Sequence, residues 1–168
     1  MVLPWDKDFL SSETELSSKT ILYAPEGQNV NNVSRSIVKK ILGNIDSKDY
    51  LNLPLEEIAS QNFIFLYPKD KSVIDIDQIR DSFKYLFLKS NSKKLLYLEN
   101  IERIETRTFN TLLKFSEEAN KNMIICMSTN NIDIVPKTIL SRFQKLKIPK
   151  PSNEIVKQHL INLGLNFD

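Results

Sequence analysis

Apolar residues along the chain fall into short unbroken runs that alternate with longer stretches of helical spacing. The runs TILYA (20–24), FIFLY (63–67), LLYL (95–98) and MIICMS (123–128) predict strands. FIFLY, ended by Pro68, reads as a strand buried on both faces. Between the runs, Val30, Val33, Ile37, Val38 and Ile41 predict a helix over 30–42, with Gly43 as its stop. Asp77 is placed to cap a second helix whose buried stripe is Ile79, Phe83, Leu86 and Phe87. Phe109, Leu112, Leu113 and Ser116 form the stripe of a third. A short helix near 136–141 precedes a possible edge strand at 143–148. Pro149 and Pro151 flank a break, and an amphipathic helix then runs from about Asn153 to Leu163. Apolar strands alternating with helices predict an α/β fold: a parallel sheet with helices on both faces.

Bulk composition narrows the function little. A chain of 168 residues suffices for one domain with a full core. The formal net charge is only +2, from 23 basic and 21 acidic residues, so it neither demands nor excludes nucleic acid. No apolar run approaches the roughly 20 residues of a membrane span, and MVLPWDKDFL lacks the pattern of a secretory signal. One cysteine, Cys126, and one histidine, His159, exclude a Cys/His zinc site and an intrachain disulfide, and a reducing cytoplasm is the simplest setting.

In a parallel α/β sheet the chemistry gathers at the carboxyl ends of the strands, and three such ends carry polar residues. In APEGQNVN (24–31), a phosphate loop of the form G-x-x-x-x-G-K-S/T would put Ala24 at the first glycine, Asn29 at the second, Val30 at the lysine and Asn31 at the hydroxyl residue. Gly27 is the one glycine in the stretch. Taken alone, these residues read as an ordinary strand–turn–helix corner. The strand ending LYLEN offers Glu99 and Asn100 where an acidic pair would hold magnesium and activate water. Asn100 cannot take a proton, and Glu99 reads as the start of a solvated loop or a residual metal ligand. At the third end, Thr129 and Asn130 could meet a phosphate or a water, and Ser141 and Arg142 close the short helix. Arg142 is either a surface charge or a finger for a phosphate held by a neighbouring subunit. Lys114, Glu117 and Glu118 are spaced so that a local helical ion pair is possible, a solvated helix face being the default reading. Lys145, Lys147 and Lys150 would guard an exposed sheet edge.

Taken in order, these segments resemble the AAA+ domain of the delta-prime subunit of the bacterial DNA polymerase III clamp loader. LPWDKDF resembles that family's Pro-Trp opening, APEGQNVNN its phosphate loop and FIFLYP its second strand. IDIDQIRDSFKYL is similar to its Ile-x-x-Asp-x-Ile-Arg segment, LYLENIERI to its Walker B region, and FNTLLKFSEEA to its Asn-x-Leu-Leu-Lys helix. MSTNN resembles the first sensor, and TILSRF the Ser-Arg-Cys motif with Phe143 in place of the cysteine.

The resemblance implies a P-loop NTPase core of the AAA+ type over 1–150 and the first part of a helical lid over 151–168. It implies a stator that neither binds nor hydrolyses ATP and has no cofactor. Such a stator lends Arg142, with Ser141 beside it, to an adjacent motor subunit. Partners would be the gamma/tau motor and delta subunits, with DNA reached only through the complex. Two departures stand out. Residues 44–61 contain none of the four zinc-binding cysteines many relatives carry, so no structural zinc is expected, and the chain stops soon after the lid begins. An active ATPase with an unusual loop, a non-replicative scaffold of the same fold, and a direct nucleic-acid binder are the alternatives.

Overall fold

The computed structural model describes residues 9, 16–25, 27–69, 73–87, 92–119 and 121–165. The Pro4–Trp5 segment lies outside them, as does Glu26 in the first strand-end loop.

The strands are β1 (Lys19–Tyr23), β2 (Phe63–Leu66), β3 (Lys94–Leu98), β4 (Met123–Thr129) and β5 (Gln144–Lys147). The α-helices that connect and follow them are α1 (Val30–Asp46), α2 (Ile76–Leu86), α3 (Thr106–Glu118), α4 (Lys137–Leu140) and α5 (Asn153–Asn162). All five strands run parallel in the order β2-β3-β4-β1-β5. The chain leaves β1, crosses to the far edge, works back through β3 and β4, and places β5 on the other side of β1. The connections therefore diverge at the carboxyl ends of β1 and β4, the place where such sheets open a crevice.

Alternation along each strand divides the core in two. Ile21, Leu96, Leu98, Ile125 and Met127 face α2, α3 and α4, where Ile79, Phe83, Phe109, Leu112 and Ile139 are buried. Leu22, Leu95, Tyr97 and Cys126 face α1 and pack against Val30, Val33, Val38 and Leu42. Burial pushes the Cys126 thiol up to about 12, so it stays protonated at neutral pH.

Four expectations change. The run FIFLY forms an edge strand, β2, and apart from Phe63 its residues are only half-buried. Its aromatic content serves a stack instead: Phe65 lies 5.3 Å from Tyr97 and 4.5 Å from Tyr67. Asp75, not Asp77, caps α2. Its carboxylate accepts from the backbone N–H of Asp77 and Gln78, and Gln78 reaches back to the Asp75 N–H in a capping box. Glu117 pairs not along its own helix but with Arg142.

Gly43 is not a stop: α1 continues to Asp46 and ends on Ser47, which takes the left-handed conformation at φ 53. Gly43 is required by a close approach instead, because the returning chain donates the Lys48 N–H to its carbonyl at 3.1 Å. A β-carbon at Gly43 would sit 2.7 Å from the Lys48 carbonyl oxygen.

The last helix, α5, is capped by Ser152 and buries none of its residues, leaving Ile155, Ile161 and Leu163 exposed. Among the described residues, no helix is long and apolar enough to cross a membrane.

Glycine to alanine inside a helix ordinarily gains about 1 kcal/mol. Gly43→Ala is expected to reverse that sign and lower stability by about 1–3 kcal/mol, since backbone must move to admit the methyl group. Urea unfolding followed by far-UV circular dichroism checks this, and a stabilised variant would contradict it.

Candidate functional site

The carboxyl ends of β1, β3 and β4 bring Ala24, Asn31, Glu99, Asn100, Thr129 and Asn130 into one polar cluster. Gly27 supplies the left-handed turn (φ 86). Asn29 is extended (φ −79) and caps α1, its carbonyl oxygen accepting the Asn31 N–H at 3.0 Å. The donors that would cradle a phosphate at a helix start are thus partly engaged. Gln28 N donates to the Pro25 carbonyl and Ala24 N to the Thr129 carbonyl. The Gln28 side chain donates to the Pro149 carbonyl at 2.9 Å, and Asn130 donates its amide to the Gln28 carbonyl. The loop is therefore strapped to its neighbours on two sides. Val30, where a phosphate loop has its lysine, is fully buried in the core beneath.

Asn31 and Asn100 meet each other. The Asn31 amide donates to Asn100 Oδ1 at 3.0 Å, joining the start of α1 to the end of β3. Asn100 sits at φ 56, a left-handed conformation that asparagine tolerates better than most residues. Its carbonyl accepts from Arg103 N at 2.9 Å, which starts a 3₁₀ turn over Ile101–Arg103.

Glu99 is not at the start of a solvated loop. It is 3% exposed, and its carboxylate receives two bonds from Arg35 on α1: Nε to Oε2 at 2.5 Å and Nη2 to Oε1 at 2.7 Å. The same guanidinium reaches Glu56 through Nη1 at 2.9 Å and lies 5.4 Å from the centre of the Phe65 ring. The hydrogen bonds it donates to Glu99, and the charge of that carboxylate, hold the guanidinium firmly protonated against the opposing effect of burial. Arg35 therefore supplies the positive charge the buried carboxylate needs.

A hydroxyl column lies beneath the pair. Tyr97 OH is 2.7 Å from Ser34 Oγ and 2.9 Å from Ser128 Oγ, with Glu99 Oε2 a longer acceptor at 3.3 Å. Ser34 spends its proton on the Val30 carbonyl at 3.0 Å. Tyr97 has a single proton to give, to Ser34 or to Glu99, and Ser128 lies within hydrogen-bond distance of the same phenol oxygen. Burial holds the Tyr97 phenol well above its ordinary range, so it remains a donor. Thr129 donates to Glu102 at 2.8 Å and accepts the Asn131 N–H at 3.0 Å, which fixes the turn after β4.

Ser141 and Arg142 lie elsewhere. They precede β5, whose Gln144 is level with Thr20 near the start of β1, so they stand at the amino end of the sheet. The four residues of β5 alone separate that end from the cluster by about 13 Å. Arg142 is 43% exposed. Its Nε pairs with Glu117 at 2.7 Å, and its Nη1 donates to the Thr138 carbonyl at 3.0 Å and Ser141 Oγ at 3.3 Å.

Arg35, Tyr97, Ser128, Glu102 and Glu117 were not apparent as site residues from the sequence. One signal did exist for Arg35. It is a cation beside the apolar stripe of α1, in a fold whose neighbouring strand ends in a carboxylate.

The strand order, all parallel with helices packed on both faces, defines an α/β domain of the doubly covered parallel-sheet class. Residues 11–152 match the family described as DNA polymerase III, delta subunit, and the chain belongs to that family. It is 33% identical over 105 residues to DNA polymerase III subunit gamma of Buchnera aphidicola subsp. Baizongia pistaciae. It is 32% identical over 88 residues to the same subunit of the subspecies Acyrthosiphon pisum. Those alignments cover 60% and 52% of this chain but only 28% and 24% of the relatives, so the chain matches about a quarter of their length. Among solved structures it is similar to a DNA polymerase III gamma subunit-related protein of Thermotoga maritima, with a TM-score of 0.59 and 18% identity. That match covers 95% of this chain and 51% of the other. It is also similar to PCH-2 of C. elegans, with a TM-score of 0.57 and 13% identity, covering 98% and 45% respectively. Both structural likenesses speak to the fold.

Removing the guanidinium would leave Glu99 buried and unpaired. Arg35→Ala is expected to lower stability by about 2–4 kcal/mol, the lower part of the range reflecting the partial exposure of Arg35. Arg35→Lys should recover only part of the loss, because an ammonium cannot bridge both carboxylate oxygens. Urea midpoints of the two variants check this. A loss below about 1 kcal/mol for the alanine variant would mean that Glu99 does not depend on Arg35.

Proposed function

We propose that this domain is the delta-prime-type stator of a clamp loader, working in DNA replication in the cytoplasm without gripping ATP itself. The observation that carries the reading is the closure of its nucleotide-type site. Asn31 and Asn100 bond to each other, and Arg35 occupies both oxygens of Glu99. A magnesium–triphosphate complex would have to break those contacts, and no lysine stands at position 30 to repay them. The loop is a degenerate phosphate loop, with Glu99 and Asn100 a degenerate Walker B and Thr129 and Asn130 a vestigial sensor.

Arg142 stands at the opposite end of the sheet and has no route to its own site. Any phosphate it serves belongs to another subunit. We assign it as an arginine finger acting in trans on an adjacent gamma/tau motor subunit, with Ser141 beside it and delta as a further partner. DNA is reached through the assembly. The curated relatives named as gamma subunits favour a second reading, in which this domain binds and turns over ATP itself.

Two measurements separate these readings. Titration of the isolated chain with ATP and magnesium is expected to show no micromolar binding; saturable, magnesium-dependent binding in that range would support the second reading. In the assembled loader, Arg142→Ala is expected to cut turnover at one neighbouring site by about 10³-fold or more with this domain still folded. Unchanged ATPase and clamp-loading rates in that variant would remove the finger.

A further inference from the structure

Arg142 is held from two helices of its own domain. Glu117, in the last turn of α3, forms an ion pair with Nε at 2.7 Å, and Nη1 donates to the Thr138 carbonyl on α4 at 3.0 Å and to Ser141 Oγ at 3.3 Å. Two separated contacts on a planar, rigid guanidinium fix both its position and its plane. The remaining nitrogen, Nη2, has no partner among the described residues. Both side chains of the pair are about half exposed, at 43% for Arg142 and 50% for Glu117, so the pair adds little to folding stability. α3 itself is anchored by the buried Phe109 and Leu112, and α4 by Ile139. The two groups that grip the guanidinium are therefore mounted on packed elements, as an aimed side chain requires.

We infer that Glu117 is a positioning residue for Arg142, setting the guanidinium with Nη2 outward so that little orientational freedom is lost when a neighbouring subunit's phosphate arrives. This rests on the trans-finger reading above. A freely rotating arginine samples many rotamers, and ordering it at the moment of reaction costs rate; a pre-set one does not. A carboxylate on Nε also leaves the guanidinium charge intact, since arginine does not lose its proton. Glu118, the adjacent residue of α3, has no such contact with Arg142 among the described residues and serves as the control position.

The test uses the assembled loader with variants in this chain. Glu117→Ala is expected to lower the neighbouring site's kcat by about tenfold with KM for ATP unchanged, because misaiming affects the transition state and not ground-state binding. Glu117→Gln keeps the side chain's size but not its charge and should recover only part of the rate, whereas Glu118→Ala should leave it unchanged. Combined with Arg142→Ala, Glu117→Ala should add nothing. Full activity of Glu117→Ala beside a crippled Arg142→Ala would overturn the inference alone. Additive losses in the double variant would do the same. Full activity of Arg142→Ala would overturn the finger reading and this inference together. Separately, 15N relaxation at Arg142 Nε of the isolated chain should report a motionally restricted guanidinium, with the restriction weakened in Glu117→Gln and lost in Glu117→Ala. A freely mobile guanidinium in the unaltered chain would show that the pair does not hold it, and would also overturn the inference.

Discussion

A carboxylate buried at the end of a central strand must be neutralised, and the organisation of this domain follows from how Glu99 meets that demand. In water the charge costs nothing to hold; against the packed face of α1 it costs several kcal/mol unless a cation and hydrogen bonds replace the solvent. A bound metal could supply the cation. Here α1 supplies it through Arg35, in bidentate geometry, with Glu56 and the face of Phe65 steadying the guanidinium. The consequences spread outward. α1 is tied to β3, Tyr97, kept protonated first by its own burial and then by the nearby Glu99 charge, bridges Ser34 to Ser128, and Asn31 is left to pair with Asn100. The corner where a ligand would enter becomes a set of satisfied internal bonds.

Much of the fold was legible from apolar spacing, for a simple reason. Period-two and period-3.6 patterns report which faces are dry. The stripes of α2 and α3 needed no long-range information, and Phe83, Phe109 and Leu112 are buried as their spacing implies. The errors came where one residue type has more than one physical use. Gly43 reads locally as a helix end, yet it serves to let the Lys48 carbonyl approach. Asp77 is a sound cap by residue type, but Asp75, two residues earlier, holds the box. The apolar run FIFLY looked central because its aromatics are hydrophobic, but they stack at an edge.

The site was legible to a lesser degree. The loop after β1, the end of β3 and the turn after β4 were identified because strand ends can be located in sequence. What fills them could not be. Arg35 and Glu99 are 64 positions apart, and nothing local to either announces the other. The local spacing of Glu117 and Lys114 is visible in the sequence, whereas the contact of Glu117 with Arg142, two residues past the end of α4, is not. Long-range ionic partners are set by tertiary packing, and only the assembled sheet brings them together.

Val30 carries one more consequence. Its side chain is wholly enclosed, packed with Leu22 and Ala24 among the residues beneath the first loop. A lysine introduced there could not simply be added to an empty slot. It would have to leave the core with its charge, vacate the volume the valine fills, and displace the strapped loop on its way out. Packing thus acts as a ratchet. With an apolar residue at this position absorbed by the interior, placing a charge there requires several coordinated replacements, and each taken singly would weaken the domain.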